Sequence, residues 1–400
     1  MPGRCNYFLS NLVLTKNILT FAKKYACMKK VFSFGIPVSG DLFTDREEET
    51  KRLVSNYTYG INTFILSPRR WGKTSLVHKA ISLTPTKGKV FVYMDILHCK
   101  TREDFCQCFV SSVLKQTAGK MEEILSWGRD FLSHLFVGLE VSPDPGSPFS
   151  IKLDWRDTER TEEEVFSLPE KIAIKKRIDI IICIDEFQQI VNYTDTLAFQ
   201  AKLRGIWQLQ QHTSYCLFGS KKHSMEGLFD GTDKPFYKFG DIIYLKTIPL
   251  DYWIPYISCK FHEAGKEISN DLCKLICETV SYNSSYVQQL SWYTFQMTDQ
   301  TADTAIINNA IAELVSQCSE VFEARTQDLT AYQMRFLTAL SEGISEGFSS
   351  APIVSKYKLG SSANVAAIKA SLLEKGLIET ISGSIVLADP VMGLWIKQNY

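Results

Sequence analysis

The stretch FILSPRRWGKTSLVHKAI, residues 64–81, constrains the chain more than any other. A run of apolar and β-branched residues ends at Leu66, a short turn follows, and Gly72-Lys73-Thr74-Ser75 opens a helical pattern. A buried strand running through a tight loop into a helix leaves the first N–H groups of that helix unpaired and pointing at one spot. Those groups and the helix dipole make the spot an anion site. Lys73 adds a point charge aimed at terminal phosphates, and the Thr74 hydroxyl is suited to a divalent cation. The candidate binding segment is Ser67, Pro68, Arg69, Arg70, Trp71, Gly72, Lys73, Thr74 and Ser75. It departs from the regular phosphate-loop pattern in one place: Ser67 stands where a glycine is usual, with Pro68 stiffening the turn.

A strand feeding such a helix belongs to a parallel sheet with right-handed crossovers. Four further runs fit that sheet: KVFVYMD from Lys89, IDIIICID from Ile178, SYCLFGS from Ser214 and DIIYLK from Asp241. Their nearly continuous apolar character is that of strands covered on both faces. Between the second and third, residues 140–160 break the rhythm with prolines, a glycine and a short alternating run, which reads as a surface excursion or a hairpin. The acidic run Glu162–Glu164 is expected to open the next helix, where carboxylates favour the positive end of the dipole.

Two strand ends carry further polar residues. Asp185-Glu186 closes IIICID at the ligand edge of the sheet. Asp185 is placed to hold a metal ion with Thr74, and Glu186 to polarise a water for attack on a phosphoryl group. Gly219-Ser220 closes SYCLFGS. Ser220 has two readings that stay open, a polar contact to the terminal phosphate or water and a cap for the following helix. Lys221, Lys222 and His223 follow it.

After Pro249 the pattern turns helical through about residue 325. Residues 330–400 then read as three helices and a hairpin turning at Ser382-Gly383, the winged-helix layout. The 400 residues carry 44 basic and 44 acidic side chains, which argues against a strongly basic nucleic-acid or membrane-surface protein. In 330–400 there are six basic residues, Arg335, Lys356, Lys358, Lys369, Lys375 and Lys397, against five acidic ones. That balance is far from the basic footprint of a DNA reader, and the recognition-helix candidate SSANVAAIKASLLEK offers mainly Ser361, Ser362, Asn364 and Lys369, enough for modest phosphate contact. No apolar run reaches the length of a membrane span. Eleven scattered cysteines, with no CxxC pair, read as reduced thiols of a cytoplasmic protein. Residues 1–27 precede an internal Met28 and admit two readings, an extension outside the fold or an ordered amphipathic helix.

Together these segments resemble the archaeal and bacterial P-loop ATPases of the additional-strand class, related to AAA+ and STAND proteins. The resemblance rests on FTDREEETKRL (43–53), SPRRWGKTSLV (67–77), IDEFQ (184–188), LFGSKKHSM (217–225), KPFYKFGDIIYL (234–245) and the C-terminal KYKLGSSANVAAIKASLLEKGLIE with ADPVMGLWI. It covers about residues 32–400 and implies a five-stranded parallel sheet of order 5-1-4-3-2, a helical lid and a C-terminal winged helix. The implied division is an extension at 1–31, an ATPase core at 32–248, a lid at 249–328 and a winged helix at 329–400. The implied ligands are ATP and Mg²⁺, with Ile36, Pro37 and Phe43 near the adenine. The implied activity is slow Mg²⁺-dependent hydrolysis driving a conformational switch, with an unidentified protein partner. The alternative is a nucleotide-gated DNA-binding or scaffold protein in which hydrolysis is incidental.

Two departures from that group stand out. Relatives often carry an arginine in the segment matching residues 235–240, usable on a neighbour's nucleotide; here PFYKFG leaves only Lys238, which lacks the bidentate fork. Many STAND lids carry a Gly-x-Pro that touches adenine; here Asn283-Ser284-Ser285 stands in its place.

Overall fold

The computed structural model describes residues 30–400 except 121–122, 124–125, 128–129, 132–135, 142–148, 154–157, 221, 230 and 382. The expectations for residues 1–27 lie outside the described residues.

The first helix, α1 (Glu47–Tyr59), leads into β1 (Thr63–Leu66), and α2 (Lys73–Leu83) follows the loop. The core then alternates through β2 (Lys89–Asp95), α3 (Arg102–Thr117), a hairpin of β3 (Phe136–Val141) and β4 (Phe149–Leu153), α4 (Thr158–Lys176), β5 (Asp179–Asp185), α5 (Thr196–Trp207), β6 (Thr213–Gly219), α6 (Lys222–Phe229) and β7 (Asp241–Tyr244). The five core strands pair in the order β2-β5-β6-β1-β7, all parallel. Counted along the chain this is 2-3-4-1-5, the expected order read from the other edge. The pair β3–β4 is antiparallel and separate, the second of the two readings of that stretch.

Alternation along the strands sorts their side chains onto two faces. Phe64, Leu66, Ile180, Ile182, Ile184, Tyr215 and Leu217 point into one core, completed by Phe105 and Phe109 of α3, Phe166 of α4 and Trp207 of α5. Ile65, Ile181, Cys183, Cys216 and Phe218 point into the other, closed by Leu53 and Tyr57 of α1 and Leu76, Val77 and Ala80 of α2. Each such fully buried apolar side chain contributes about 1.5–3 kcal/mol. The sheet is therefore a rigid platform, and its loops at one edge inherit that rigidity.

Beyond β7 come α7 (Leu250–Glu263), α8 (Asn270–Thr279), α9 (Ser284–Met297) and α10 (Thr304–Thr326), then the winged helix: α11 (Ala331–Ser341), α12 (Ala351–Tyr357), α13 (Ser362–Glu374), the antiparallel hairpin β8 (Ile378–Ile381) and β9 (Ser384–Leu387), and α14 (Pro390–Asn399). These helices share one core. Trp253, Phe261 and Leu290 of the lid lie in the same cluster as Phe336, Leu372 and Trp395 of the winged helix, and the Phe322 and Trp395 rings meet at 5.9 Å. Phe32 enters that core from the N-terminal side, edge-on to Phe261 and Phe295.

One expectation is corrected. Glu162 does not serve the end of a helix dipole, because α4 begins at Thr158 and Glu162 is fully buried inside it. Its carboxylate lies 2.6 Å from Arg102 of α3 and 3.0 Å from Lys202 of α5, in ionic contacts rather than well-directed hydrogen bonds. Two cations on flanking helices make burial of this charge tolerable. Removing either leaves the buried carboxylate with a single counter-charge. Glu162→Ala is accordingly expected to cost about 3–5 kcal/mol in denaturant unfolding, whereas Glu163→Ala, on an exposed position of the same helix, should stay within about 0.5 kcal/mol. Equal effects would show the triad to be energetically idle.

Candidate nucleotide site

Because the strands are parallel, their C-terminal ends line one edge. The register places Leu66 beside Gly219, and Asp95 beside Asp185. Since β6 lies between β5 and β1, Ser220 stands between the phosphate loop and the Asp185-Glu186 pair. The crossover order thus gathers residues more than 150 positions apart.

The loop itself turns through two left-handed residues, Arg70 at φ +66° and Gly72 at φ +92°. Glycine takes that conformation without cost, and it delivers Lys73 as the first residue of α2. Lys73 is 6% exposed. Its ammonium donates to the Ser67 carbonyl at 3.0 Å, the Ser67 hydroxyl at 3.2 Å and the Pro68 carbonyl at 3.0 Å. Ser67 therefore does something a glycine could not: its hydroxyl accepts from the lysine. Burial lowers the Lys73 pKa to about 8, against the opposing pull of the Glu186 and Asp185 carboxylates.

The Thr74 hydroxyl donates to Asp185 Oδ2 at 2.9 Å, and the Tyr93 hydroxyl donates to the same oxygen at 2.9 Å. Burial raises the Asp185 pKa, and these donated hydrogen bonds work against that rise. Glu186 takes a left-handed backbone at φ +55°. Its carboxylate accepts from Ser220 Oγ at 3.0 Å and from the Gln188 amide. Gly219 makes the second contact feasible: a Cβ there would stand 1.7 Å from Gln188 Oε1. Arg69 Nε donates to Ser220 Oγ at 3.3 Å, extending the chain of contacts to the loop.

These groups open onto a cavity of about 600 Å³, within the usual range for small-molecule sites. Ile36, Pro37, Phe43, Trp253 and Ser284 complete its wall. Ile36 is 55% exposed, so it is no core residue. Arg46, almost fully buried, donates to the Trp71 and Lys246 carbonyls, and the Val38 amide donates to Ser75 Oγ at 3.0 Å. Gln288 of α9 accepts from the Ser33 amide and donates to the Leu42 carbonyl, tying this wall to the lid.

The lid also grips the loop. Asn283, the cap of α9, donates to the Arg69 carbonyl at 3.3 Å, and the Ser285 amide donates to the Arg70 carbonyl at 3.2 Å. Asn283-Ser284-Ser285 thus contacts the phosphate loop with polar groups where a Gly-x-Pro would offer none. The Arg70 guanidinium bonds the Tyr286 hydroxyl, lies 4.8 Å from its ring centre, and pairs with Asp389 of the winged helix at 3.3 Å. Tyr286 in turn donates to Asp389 at 2.7 Å. Burial, and then the Asp389 carboxylate, push the Tyr286 pKa up.

The residues expected to hold the nucleotide and metal lie at this edge. Lys238, of the segment where relatives carry an arginine for a neighbour's nucleotide, does not. It is exposed at φ +54°, just before the N-terminal end of β7, which is the opposite end of the sheet from the phosphate loop. The side chains of Lys221, Lys222 and His223 are outside the described set. Sequence reasoning missed Tyr93, Tyr286 and Asp389. Tyr93 sits two residues before the end of a strand that pairs in register with Asp185, a relation visible only after strand order is fixed.

A family model described as "Probable winged helix domain" matches residues 320–398. The search of curated proteins returned no match. Among solved structures, a Walker-type ATPase of Pyrococcus abyssi is similar at 14% identity and a TM-score of 0.62, over 92% of this chain and 99% of that one. The ORC2 protein of Aeropyrum pernix in ADPNP–ADP complexes is similar at 12% identity and a TM-score of 0.55, over 93% of this chain and 97% of that one. Its ADP form gives 10% and 0.50, over 92% and 97%. The fold is therefore that of the P-loop ATPases with a C-terminal winged helix.

The low pKa of Lys73 has a consequence for binding. A polyanion favours the charged lysine, so a nucleotide bound here would raise that pKa. Between the free value, about 8, and the higher bound value, binding must take up a proton. Calorimetry at pH 8.5 in buffers of differing ionisation enthalpy is expected to show up to one proton absorbed per nucleotide, falling toward zero at pH 6.5. Affinity should decline above pH 8. Proton-neutral binding at pH 8.5 would contradict the buried-lysine reading.

Proposed function

We propose that the chain binds Mg·ATP in this cavity, hydrolyses it slowly, and uses the nucleotide state to reposition its winged helix. One observation carries the reading: a buried lysine, a threonine hydroxyl bonded to an aspartate, and a glutamate held by a serine meet at the mouth of one cavity. The donor set fits magnesium. Thr74 and Asp185 offer hard oxygens, and the described residues hold no cluster of three or more His, Cys, Asp or Glu. A site with one carboxylate that relies on substrate phosphates and water suits Mg²⁺ better than a site needing an all-protein cage. Bound there, Mg²⁺ would neutralise charge on the phosphate oxygens.

Within this reading each residue has one task. The start of α2 and Lys73 hold the phosphates. Ile36, Pro37 and Phe43 hold the base. Glu186 accepts the proton of the attacking water, and Ser220 with Gln188 fixes the orientation of its carboxylate. Lys73 must exchange its three loop oxygens for phosphate oxygens, so binding and loop rearrangement are linked. The switch follows from Arg70: the residue whose carbonyl the lid holds is the one whose guanidinium holds Asp389. A phosphate loop that shifts on nucleotide binding pulls on the winged helix directly. The partner read out by that movement is proposed to be a protein, since the winged helix carries near-balanced charge and turns Lys369 toward the interdomain space. A cytoplasmic location is part of the same proposal. Among the described residues no helix is long and apolar enough to cross a membrane.

Three measurements test the proposal. Lys73→Ala should abolish ATP binding in calorimetry while the fold persists; unchanged affinity would sink the site. Glu186→Gln should keep Mg·ATP and lose about 10²–10⁴ in turnover, because an amide keeps the shape but cannot take a proton. Hydrogen exchange of 330–400 should change with Mg·ATP, and exchange indifferent to nucleotide would remove the switch.

A further inference from the structure

We infer that Arg69 is a catalytic arginine supplied in cis: its guanidinium contacts the transferring phosphoryl group, so the chain needs no neighbour to complete its site. The inference rests on the ATPase reading above and adds a residue to that site.

The position of Arg69 is set at both ends. Its backbone belongs to the phosphate loop, and its carbonyl is held by Asn283 at 3.3 Å. Its Nε donates to Ser220 Oγ at 3.3 Å, and Ser220 Oγ donates to the Glu186 carboxylate at 3.0 Å. The guanidinium is therefore one hydroxyl away from the carboxylate that faces the attacking water. Its charge is also near enough to Lys73 to help lower that lysine's pKa. A cation placed between the phosphate lysine and the base is where negative charge gathers as the terminal phosphoryl group is transferred. Of its donors, Nε is engaged with Ser220, and among the described residues the two terminal nitrogens, the fork that suits phosphoryl oxygens, make no hydrogen bond or ion pair.

Arg70 is next to it and cannot do the same. It turns away at φ +66° to meet Tyr286 and Asp389. Both arginines line the cavity, but only the Arg69 guanidinium is joined to Ser220, while that of Arg70 is taken by Tyr286 and Asp389. The segment 235–240, from which a neighbour's finger would come, holds Lys238 at the far end of the sheet. Arg69 supplies in cis what that segment lacks. A cis arginine is compatible with turnover on the order of 10⁻² per second, which accords with a slow switch.

The step balances without any further reagent. Water oxygen forms a bond to the γ-phosphorus, and the bond from that phosphorus to the β,γ-bridging oxygen breaks. The electron pair leaves on ADP, the water proton passes to Glu186, and Arg69 stabilises charge without itself gaining or losing a proton.

The experiment uses the full chain and compares it with Arg69→Ala, Arg69→Lys and Lys238→Ala. Single-turnover hydrolysis of ATP and calorimetric binding of ADP, ATP and ADP with aluminium fluoride are measured for each. The expected result is a loss of about 10³-fold or more in the hydrolysis rate for Arg69→Ala, with ADP and ATP affinities within about fivefold of the parent. Binding of ADP with aluminium fluoride, a mimic of the transferring group, should be lost in Arg69→Ala and only weakened in Arg69→Lys. Lys238→Ala should match the parent. The parent rate per chain should not depend on protein concentration. A parental rate in Arg69→Ala overturns the assignment, as does undiminished binding of the mimic, or a rate per chain that rises with concentration. Loss of ADP binding in Arg69→Ala would make the residue a binding group and also overturns it. A parent that binds ATP but neither hydrolyses it nor binds the mimic defeats the catalytic role while leaving the ATP site standing. Failure of the parent to bind ATP at all would defeat the site itself.

Discussion

One buried cation organises the molecule. Lys73 sits at the start of α2 with its ammonium out of water, held by three oxygens of the loop that precedes it. A charge in that position is tolerated only when its donors are satisfied and counter-charges are near. The loop must therefore curl back to present the Ser67 and Pro68 carbonyls, and Asp185 and Glu186 must lie within electrostatic reach. The first demand fixes the loop geometry and the left-handed Gly72. The second requires β5 to lie close to β1, one strand away across β6. The same tension makes the site ready for a polyanion, which offers the lysine better partners than the loop can.

From that point the constraints pass outward through backbone groups. The Trp71 carbonyl is taken by Arg46, the Arg70 carbonyl by Ser285 and the Arg69 carbonyl by Asn283. Loop carbonyls at such a turn have no partners in their own segment, so neighbouring elements must supply them. The lid and the N-terminal segment are thus bound to the phosphate loop by the loop's own unmet needs. The winged helix is bound to it by side chains, through Arg70, Tyr286 and Asp389. It shares its apolar core with the lid. In the proposed switch, a displacement at the loop would act on the lid and winged helix through these contacts.

The chain also shows how a charged pattern can serve two ends. Adjacent arginines take different partners: Arg69 meets Ser220, whereas Arg70, with a left-handed backbone, meets Tyr286 and Asp389. Asp389, which caps α14 through the Val391 amide, is at once a helix cap and an ion-pair partner. A single carboxylate thereby reports on both the fold of the winged helix and the state of the loop.

Much of this was legible in the residues alone. The apolar runs gave five buried strands, Gly72-Lys73-Thr74 gave the phosphate loop, and Asp185-Glu186 and Ser220 gave the facing edge, because these depend on local periodicity and on chemistry confined to a few neighbouring positions. Helix, turn and hairpin in 330–400 were legible for the same reason. Glu162 was misread because a carboxylate in an acidic run carries no mark of burial; only the packing of α3 and α5 brings Arg102 and Lys202 to it. Tyr93, Tyr286 and Asp389 could not be seen at all, since their roles arise from strand order and from the docking of a domain some 300 residues downstream. The sequence by itself determined the elements and the kind of site they bear. Only the tertiary structure decided which of two neighbouring arginines meets Ser220 and which meets Tyr286 and Asp389, because those partners come from three separate segments.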